Sequence, residues 1–172
     1  MGFFKRGIRT EAEEQYSEGM KLLDSEPGRA FELIRSAANM GHALAQFHIG
    51  MMYEQGTNTV ADCNVAAQWY EKSVNNGYVP AALYLARLHI NGLDSDDDKE
   101  IAAEYLNLVL RDYDERELNE HLNILYEVGT AVYMEKDSSE RDSSIAVRIL
   151  ERASNAGNEE STIFLEQISS TK

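Results

Sequence analysis

The sequence predicts an all-α fold, a right-handed α/α solenoid of about four helix-pair repeats with a C-terminal capping helix. Four segments with apolar residues at helical spacing recur along the chain, and their leading residues Ala30, Ala66, Ala102 and Ala146 lie 36, 36 and 44 residues apart. Such a period is typical of stacked helical hairpins, each of which buries its apolar stripe against its neighbours. No stretch alternates apolar and polar residues between hairpin turns, so no sheet is predicted.

The length of 172 residues fits one domain, since domains commonly hold roughly 100–200 residues. Residues 1–10 are interpreted as an N-terminal tail and residues 11–172 as a single repeat domain. The expected units are 11–42, 43–78, 79–116 and 117–158, with the capping helix at 159–168. The helices are expected at 11–24, 27–40, 43–55, 63–76, 79–91, 99–113, 117–135, 143–156 and 160–168.

The first helix of each pair carries a small residue at one recurring position. These residues are Gly19, Gly50, Ala86 and Gly129. A glycine inside a helix costs about 1 kcal/mol relative to alanine, so its repetition requires a compensating contact. We therefore expect a neighbouring helix to approach closely at each of these positions.

The second helices are marked at their ends and, less uniformly, at their starts. Three of them end at a glycine, namely Gly41, Gly77 and Gly157. Glycine is favoured there because the residue after a helix commonly takes a positive φ. Pro27 suits the first turn of a helix. Ser143 or Ser144 is expected to cap the helix that begins near Ile145.

Residues 42–78 carry a set of small, aromatic, aliphatic and polar residues in one characteristic order. They are Ala43, Ala45, Gln46, Gly50, Met52, Tyr53, Gly56, Val60, Asp62, Ala66, Trp69, Tyr70 and Gly77. This order resembles the Sel-one-like repeat, a relative of the tetratricopeptide repeat with a longer loop between its helices. The resemblance extends over roughly residues 11–168, with fewer matches in the other three units. It implies an adaptor, scaffold or regulator of complexes, and some bacterial members stand in toxin–immunity or signalling loci.

The first helices of such a stack line its concave face, which is where a partner is expected to bind. The helical spacing and the repeat register predict that the partner-binding side chains there are Met20, Leu44, His48, Met51, Gln55, Tyr84, Arg87, Asn91 and Glu127. Exposed methionine and tyrosine suit protein recognition, because methionine repacks and tyrosine offers contact area with a polar tip. The alternative is that these side chains are buried against neighbouring helices.

Acidic residues outnumber basic residues by 30 to 16, which gives a formal net charge of −14. The excess is concentrated in residues 93–142, which carry 16 acids and 5 bases. Nucleic acids and anionic membranes select basic surfaces, so neither is expected as the main partner. The acidic block is either a solvated face or a binding surface for a basic partner, with Asp96, Asp97 and Asp98 as candidate contacts.

The sequence shows no recognisable catalytic or metal-binding pattern. Cys63 has no histidine in a catalytic context, and the four histidines lack metal-ligand spacing. The run from Asp94 matches alternate positions of a calcium loop, but Lys99 stands where glycine is needed and Tyr105 where glutamate is needed. We therefore expect a protein that is not an enzyme and has no cofactor.

The resulting hypothesis is a protein–protein interaction module that binds its partner through the concave groove. Its sharper form is a bacterial immunity protein that neutralises a basic toxin, because an acidic surface attracts such an enzyme. The alternative is a generic adaptor, scaffold or regulatory protein that uses the apolar groove. No targeting or membrane-spanning segment is recognised, so a cytoplasmic location is expected. A monomer is favoured, and the oligomeric state is left open.

Overall fold

The computed structural model describes residues 2–92, 98–112, 120–134 and 140–170, with the side chains of 2–9 and 98–99 left out. The described residues form helices and no strands, which confirms the predicted all-α class. The helices are α1 Gly2–Leu22, α2 Pro27–Asn39, α3 Ala43–Gln55, α4 Cys63–Asn75, α5 Ala81–Ile90, α6 Asp98–Asp112, α7 Leu122–Tyr133, α8 Glu140–Asn155 and α9 Glu159–Ser169.

Three predicted helix starts are wrong, and one of them is that of α7, which was expected at residue 117 but lies at Leu122. Helix α1 begins at Gly2 and not at residue 11, whereas the division into an N-terminal tail and a repeat domain stays a prediction. Extending an existing helix costs far less than nucleating one, and no proline interrupts this segment. Helix α8 begins at Glu140, so the serines predicted to cap it lie inside its first turns. Two acidic residues of that first turn favour the earlier start, because carboxylates stabilise a helix N-terminus.

The chain forms two compact units, Met1–Ala81 and Ala82–Lys172, which are unit 1 and unit 2 below. In unit 1, α1 packs against α2, α2 against α3 and α3 against α4. In unit 2, α8 packs against α6, α7 and α9. The predicted single repeat domain and its unit boundaries stay predictions, because the two units are described separately.

The expected close approach of a neighbouring helix is confirmed at Gly19, Gly50 and Gly129, and it stays a prediction at Ala86. A Cβ atom built on Gly50 would lie 2.6 Å from the ring of Tyr70, closer than real Cβ contacts come. A Cβ on Gly19 would lie 2.7 Å from the Cγ1 atom of Ile34. In both repeats the second helix therefore packs directly against the backbone of the first helix.

The three glycine helix ends share one hydrogen-bond pattern. Gly41, Gly77 and Gly157 have φ values of 88°, 99° and 99°, as predicted. In each case the glycine N–H and the following N–H bond back to carbonyls of the last helical turn. This is the Schellman motif, which fixes the direction in which the chain leaves the helix. It places His42, Tyr78 and the residue after Gly157 at equivalent points, where the next repeat begins.

Helix α9 starts in the same way as α3 but differs in its middle. The Asn158 Oδ1 atom accepts the Ser161 N–H at 2.8 Å, and His42 caps α3 with the same spacing. Eight residues after the capping residue, Glu166 stands in α9 where Gly50 stands in α3. Helix α9 thus begins as a further first helix, but it carries a charged side chain at the position of helix contact.

Candidate partner-binding surface

An aromatic cluster lies where α1 meets α3 in unit 1. The ring of Tyr16 stacks on the ring of His42 with centroids 4.8 Å apart. On its other contact, Tyr16 meets the ring of His48 at 5.5 Å, and its hydroxyl oxygen lies 3.3 Å from the His48 Nδ1 atom. All three side chains are half-buried, so each keeps part of its surface in contact with solvent.

Hydrogen bonds fix the tautomers of both histidines. The His42 Nδ1 atom accepts the N–H of Ala45 at 3.1 Å, so this nitrogen carries no proton. The His48 Nδ1 atom lies 2.9 Å from the carbonyl oxygen of Leu44, which can only accept, so this nitrogen carries the proton. Burial lowers the pKa of both rings, against an opposing effect of Glu13 on the pKa of His42. Both rings are therefore neutral near pH 7.

Unit 2 contains a related pair of rings between α5 and the start of α7. The Tyr84 hydroxyl lies 3.4 Å from the Nδ1 atom of His121, and the two rings meet edge to face at 5.8 Å. In this pair, the side chain of Arg87 also packs on the Tyr84 ring. The guanidinium of Arg87 lies 5.1 Å from the centre of the Tyr84 ring, in the geometry of a cation–π contact.

Comparison with known families agrees with the recurring helix pairs. The Sel1 repeat family model matches the chain at residues 16–42, 43–78, 79–108 and 125–158. The chain belongs to the Sel1 repeat family. Sel1 repeat proteins generally mediate protein–protein interactions, and their fold is a non-catalytic scaffold.

Solved Sel1 repeat structures resemble this chain closely in fold. A Sel1 repeat protein from Oxalobacter formigenes superposes with a TM-score of 0.71 at 19% identity, over 91% of this chain and 62% of that one. The protective antigen c5321, present in uropathogenic Escherichia coli strains, superposes with a TM-score of 0.70 at 20% identity, over 87% of this chain and 32% of that one. These likenesses establish the fold.

A curated relative shares part of the sequence. Chitin synthase regulatory factor 3 of Schizosaccharomyces pombe is 30% identical over 78 residues. The match covers 45% of this chain and only 8% of that protein, so most of the relative has no counterpart here.

The predicted partner-binding residues differ in their exposure to solvent. The half-buried ones are Met20, Leu44, His48, Met51, Tyr84 and Arg87. The exposed ones are Gln55, Asn91 and Glu127. Met20 packs against the core of unit 1, which favours the alternative of burial for that residue. Asp96 and Asp97 lie outside the described residues, and the side chain of Asp98 is not described.

Sequence reasoning found His48 but missed the ring partners that surround it. Tyr16, His42 and His121 were not among the predicted contacts, although each lies in a ring cluster. One signal could have found two of them. His42 and His121 both stand eight residues before the small residue of their Sel1 repeat, at Gly50 and Gly129. The recurrence of an imidazole at that position marks a junction between repeats.

Other residues singled out in the sequence have ordinary surroundings. Cys63 is exposed at the first position of α4. The ring of His89 stacks on that of Tyr105 at 5.9 Å, as befits a packed histidine. Among the described residues, no three His, Cys, Asp or Glu side chains are arranged to hold a metal ion. The described helices also include none with the length and apolar character needed to cross a membrane.

Proposed function

We propose that this chain binds another protein through the first helices of its Sel1 repeats and catalyses no reaction. Helix α3 supports this proposal most strongly. It packs between α2 and α4, yet apolar residues occupy all its sides, and Leu44 and Met51 remain half-buried. A helix that is apolar all round is normally covered on every side. The uncovered apolar surface of α3 therefore suits a protein partner, with His48, Met51 and Gln55 among the contacts.

We further propose that the partner is a basic protein. The net charge of −14 creates a long-range attraction for cationic partners and speeds their association. The sharpest form of this proposal is a bacterial immunity protein that neutralises a basic toxin, with the acidic block 93–142 as a contact surface. The acidic composition is what supports it.

An adaptor or regulatory role is the second candidate. It is supported by the 30% identity to a regulatory factor of chitin synthase over 78 residues. In that case the apolar surface of α3 carries the binding energy, and the acidic residues serve as a solvated surface. The two candidates differ in how binding depends on salt, since screening weakens exposed charge pairs and leaves apolar contacts intact.

Affinity capture of the tagged chain at low and moderate salt tests this proposal. The Met51→Glu variant should lose the captured partner, because it introduces a charge into the apolar surface of α3. Gln68→Glu is the matched control, since it adds the same charge at an exposed position of α4. A basic partner lost as salt rises supports the immunity role, and a salt-resistant partner supports the adaptor role. Equal capture by both variants would contradict binding through α3.

A further inference from the structure

The sequence contains two Asn-Gly pairs, and each pair directly follows a helix. Asn76 and Gly77 follow α4, whereas Asn91 and Gly92 follow α5. A glycine has no side chain to crowd its backbone nitrogen, so this nitrogen can approach the side-chain amide of the preceding asparagine. An Asn-Gly pair is therefore a site at which an asparagine readily loses its amide group. Whether the pair reacts in the folded chain depends on what holds the asparagine side chain.

The two pairs are alike in backbone and in exposure. Gly77 and Gly92 have φ values of 99° and 83°. Each glycine N–H donates to the carbonyl three residues before it, at 2.9 Å for Gly77 and 3.0 Å for Gly92. A Cβ atom built on either glycine would meet no atom within 4 Å, and both asparagines are exposed to solvent. Backbone geometry and solvent access therefore do not distinguish the two sites.

The side chains of the two asparagines are held differently. The Asn76 Nδ2 atom donates to the Oε1 atom of Gln46 at 2.9 Å and to the carbonyl oxygen of Lys72 at 3.0 Å. In the part of the chain that the structure describes, the Asn91 side chain makes no hydrogen bond. The Asn91 amide can therefore turn toward the Gly92 nitrogen at once, whereas Asn76 must first break two hydrogen bonds.

Helix α3 carries a natural comparison at the position of Asn91. Gln55 ends α3 and precedes Gly56, whose φ value is 70°. Gln55 is exposed like Asn91, and the two residues lie one repeat period of 36 residues apart. Its side chain is one methylene longer, so attack by the glycine nitrogen would close a six-membered ring. Such a ring forms far more slowly than the five-membered ring of an asparagine, so Gln55 marks what an unreactive amide does at this position.

We infer that Asn91 deamidates spontaneously in the folded chain, whereas Asn76 and Gln55 stay intact. The Gly92 nitrogen loses its proton and bonds to the Asn91 Cγ atom, while the bond from Cγ to Nδ2 breaks and the amide leaves as ammonia. Water then opens the cyclic imide at either of its two carbonyl carbons, which yields aspartate or isoaspartate. The product adds one negative charge to a chain of net charge −14, at a residue predicted to contact the partner. The reaction needs only this chain and water, so it is independent of the proposed function.

Mass spectrometry of proteolytic peptides measures the conversion at each site after the folded chain has been incubated in mildly alkaline buffer. Asn91 should convert at least about tenfold faster than Asn76, because Asn76 reacts only after its two hydrogen bonds break. The same incubation in urea is the control, since both Asn-Gly pairs should convert at comparable rates in the unfolded chain. An isoaspartate methyltransferase should label the aged folded chain and leave the Asn91→Gln variant unlabelled. This variant should fold, because α3 already ends in glutamine.

Conversion of Asn91 with Asn76 intact in the folded chain supports the inference, provided that circular dichroism shows the chain still folded. Equal rates at Asn76 and Asn91 in the folded chain would overturn it, because the hydrogen bonds of Asn76 would then give no protection. An Asn91 that stays intact in the folded chain and converts in urea would also overturn it, since the turn after α5 would then block the attack. Absence of conversion in urea would overturn it through the chemistry itself.

Discussion

Repeat one (α1 and α2) and repeat two (α3 and α4) of unit 1 have the same helix arrangement, but different side chains hold their two helices together. In repeat two, Gln46 donates to the carbonyl of Ala38 at 3.0 Å and accepts from the side chain of Asn76 at 2.9 Å. Gln15 holds the same position in repeat one, four residues before the small glycine. Its amide reaches only Glu11, at 3.5 Å, and its buried Oε1 atom receives no hydrogen bond from the described residues.

The missing donor follows from the second helix of repeat one. With Ala30 aligned to Ala66, apolar residues of repeat one replace three polar residues of α4 and its C-cap. These replacements are Ile34 for Tyr70, Ala37 for Ser73 and Met40 for Asn76. In α4 the polar groups tie the helix to α3, as the Ser73 hydroxyl does by donating to the Ala43 carbonyl at 2.7 Å. Repeat one thus has the glutamine at this position but not the asparagine that would donate to it. A residue of a repeat motif stabilises the fold only together with the residues it contacts.

The largest difference between the repeats should appear at the small glycines. Gly50→Ala should lower the free energy of unfolding by about 2 kcal/mol, because the new methyl group strikes a ring held by other contacts. The Tyr70 hydroxyl donates to Glu54 at 2.6 Å, and its ring packs on Phe47. Gly19→Ala should cost more, because the new methyl group meets the Cγ1 atom of the buried, β-branched Ile34 at 2.7 Å and also the backbone carbonyl oxygen of Ala30 at 3.1 Å.

Urea denaturation of both variants measures this difference. Gly28→Ala is the control, since a Cβ there meets no atom within 4 Å. It should be neutral or stabilise by up to about 1 kcal/mol through helix propensity. A larger loss at Gly50 than at Gly19 would show that the buried ring of Tyr70 is a harder obstacle than the backbone of α2.

A smaller loss should follow when repeat two is made like repeat one. Asn76→Met removes the donor to Gln46 and should lower the free energy of unfolding by about 1–2 kcal/mol, because a buried oxygen loses its partner. Asn75→Met is the control, at an exposed neighbouring position. Equal stability of the two variants would mean that water or another donor satisfies Gln46.

The reverse change should stabilise repeat one. Gln15→Met removes the buried oxygen that has no donor and should raise the free energy of unfolding by about 1 kcal/mol. Thermal unfolding should detect a rise in Tm of a few degrees, roughly 2–4 °C for a chain of this size. The same change at Gln46 should destabilise, because there the amide makes two hydrogen bonds. A fall in Tm for Gln15→Met would show that the amide's hydrogen bond to Glu11 stabilises the fold more than the unpaired Oε1 atom destabilises it.

The smallest effect concerns pH and the start of repeat two. Burial lowers the pKa of His42 and His48 below the ordinary value of 6.5. The unfolded chain then binds more protons than the folded chain, so stability should fall as pH drops below about 6.5. The loss of Tm should be small, because His42 is only half-buried and solvent screens its charge. His42→Asn should reduce this pH dependence, since Asn158 caps α9 in the same setting without titrating. An unchanged pH dependence would place its origin at other residues.

The repeat pattern predicted most of the fold because its signals are local. Glycines at a fixed spacing predicted both the helix ends and the close helix approach at Gly19 and Gly50. The first role needs a positive φ, and the second needs the absence of a side chain. The start of α1 was missed because residues 2–10 neither favour nor forbid a helix strongly. The sequence does not decide whether Met20 is buried, because its burial depends on which neighbouring helix covers that face of α1.

The ring cluster could not be predicted in the same way. Tyr16 and His48 are 32 residues apart, and their contact depends on how two first helices lie against each other. The orphaned oxygen of Gln15 is equally invisible in its own segment, since it follows from the absence of an asparagine in another helix. Contacts of this kind depend on pairs of residues, whereas a repeat motif describes positions one at a time.

Glu166 has a consequence for which helices can pack on α9. Glu166 stands at the position where Gly50 lets a helix touch backbone, and it is exposed. A helix of a second copy cannot dock on α9 as closely as α4 docks on α3 without burying this carboxylate, which is costly when unpaired. A protein engineer who wished to pack a further helix on α9 would therefore replace Glu166 by glycine first.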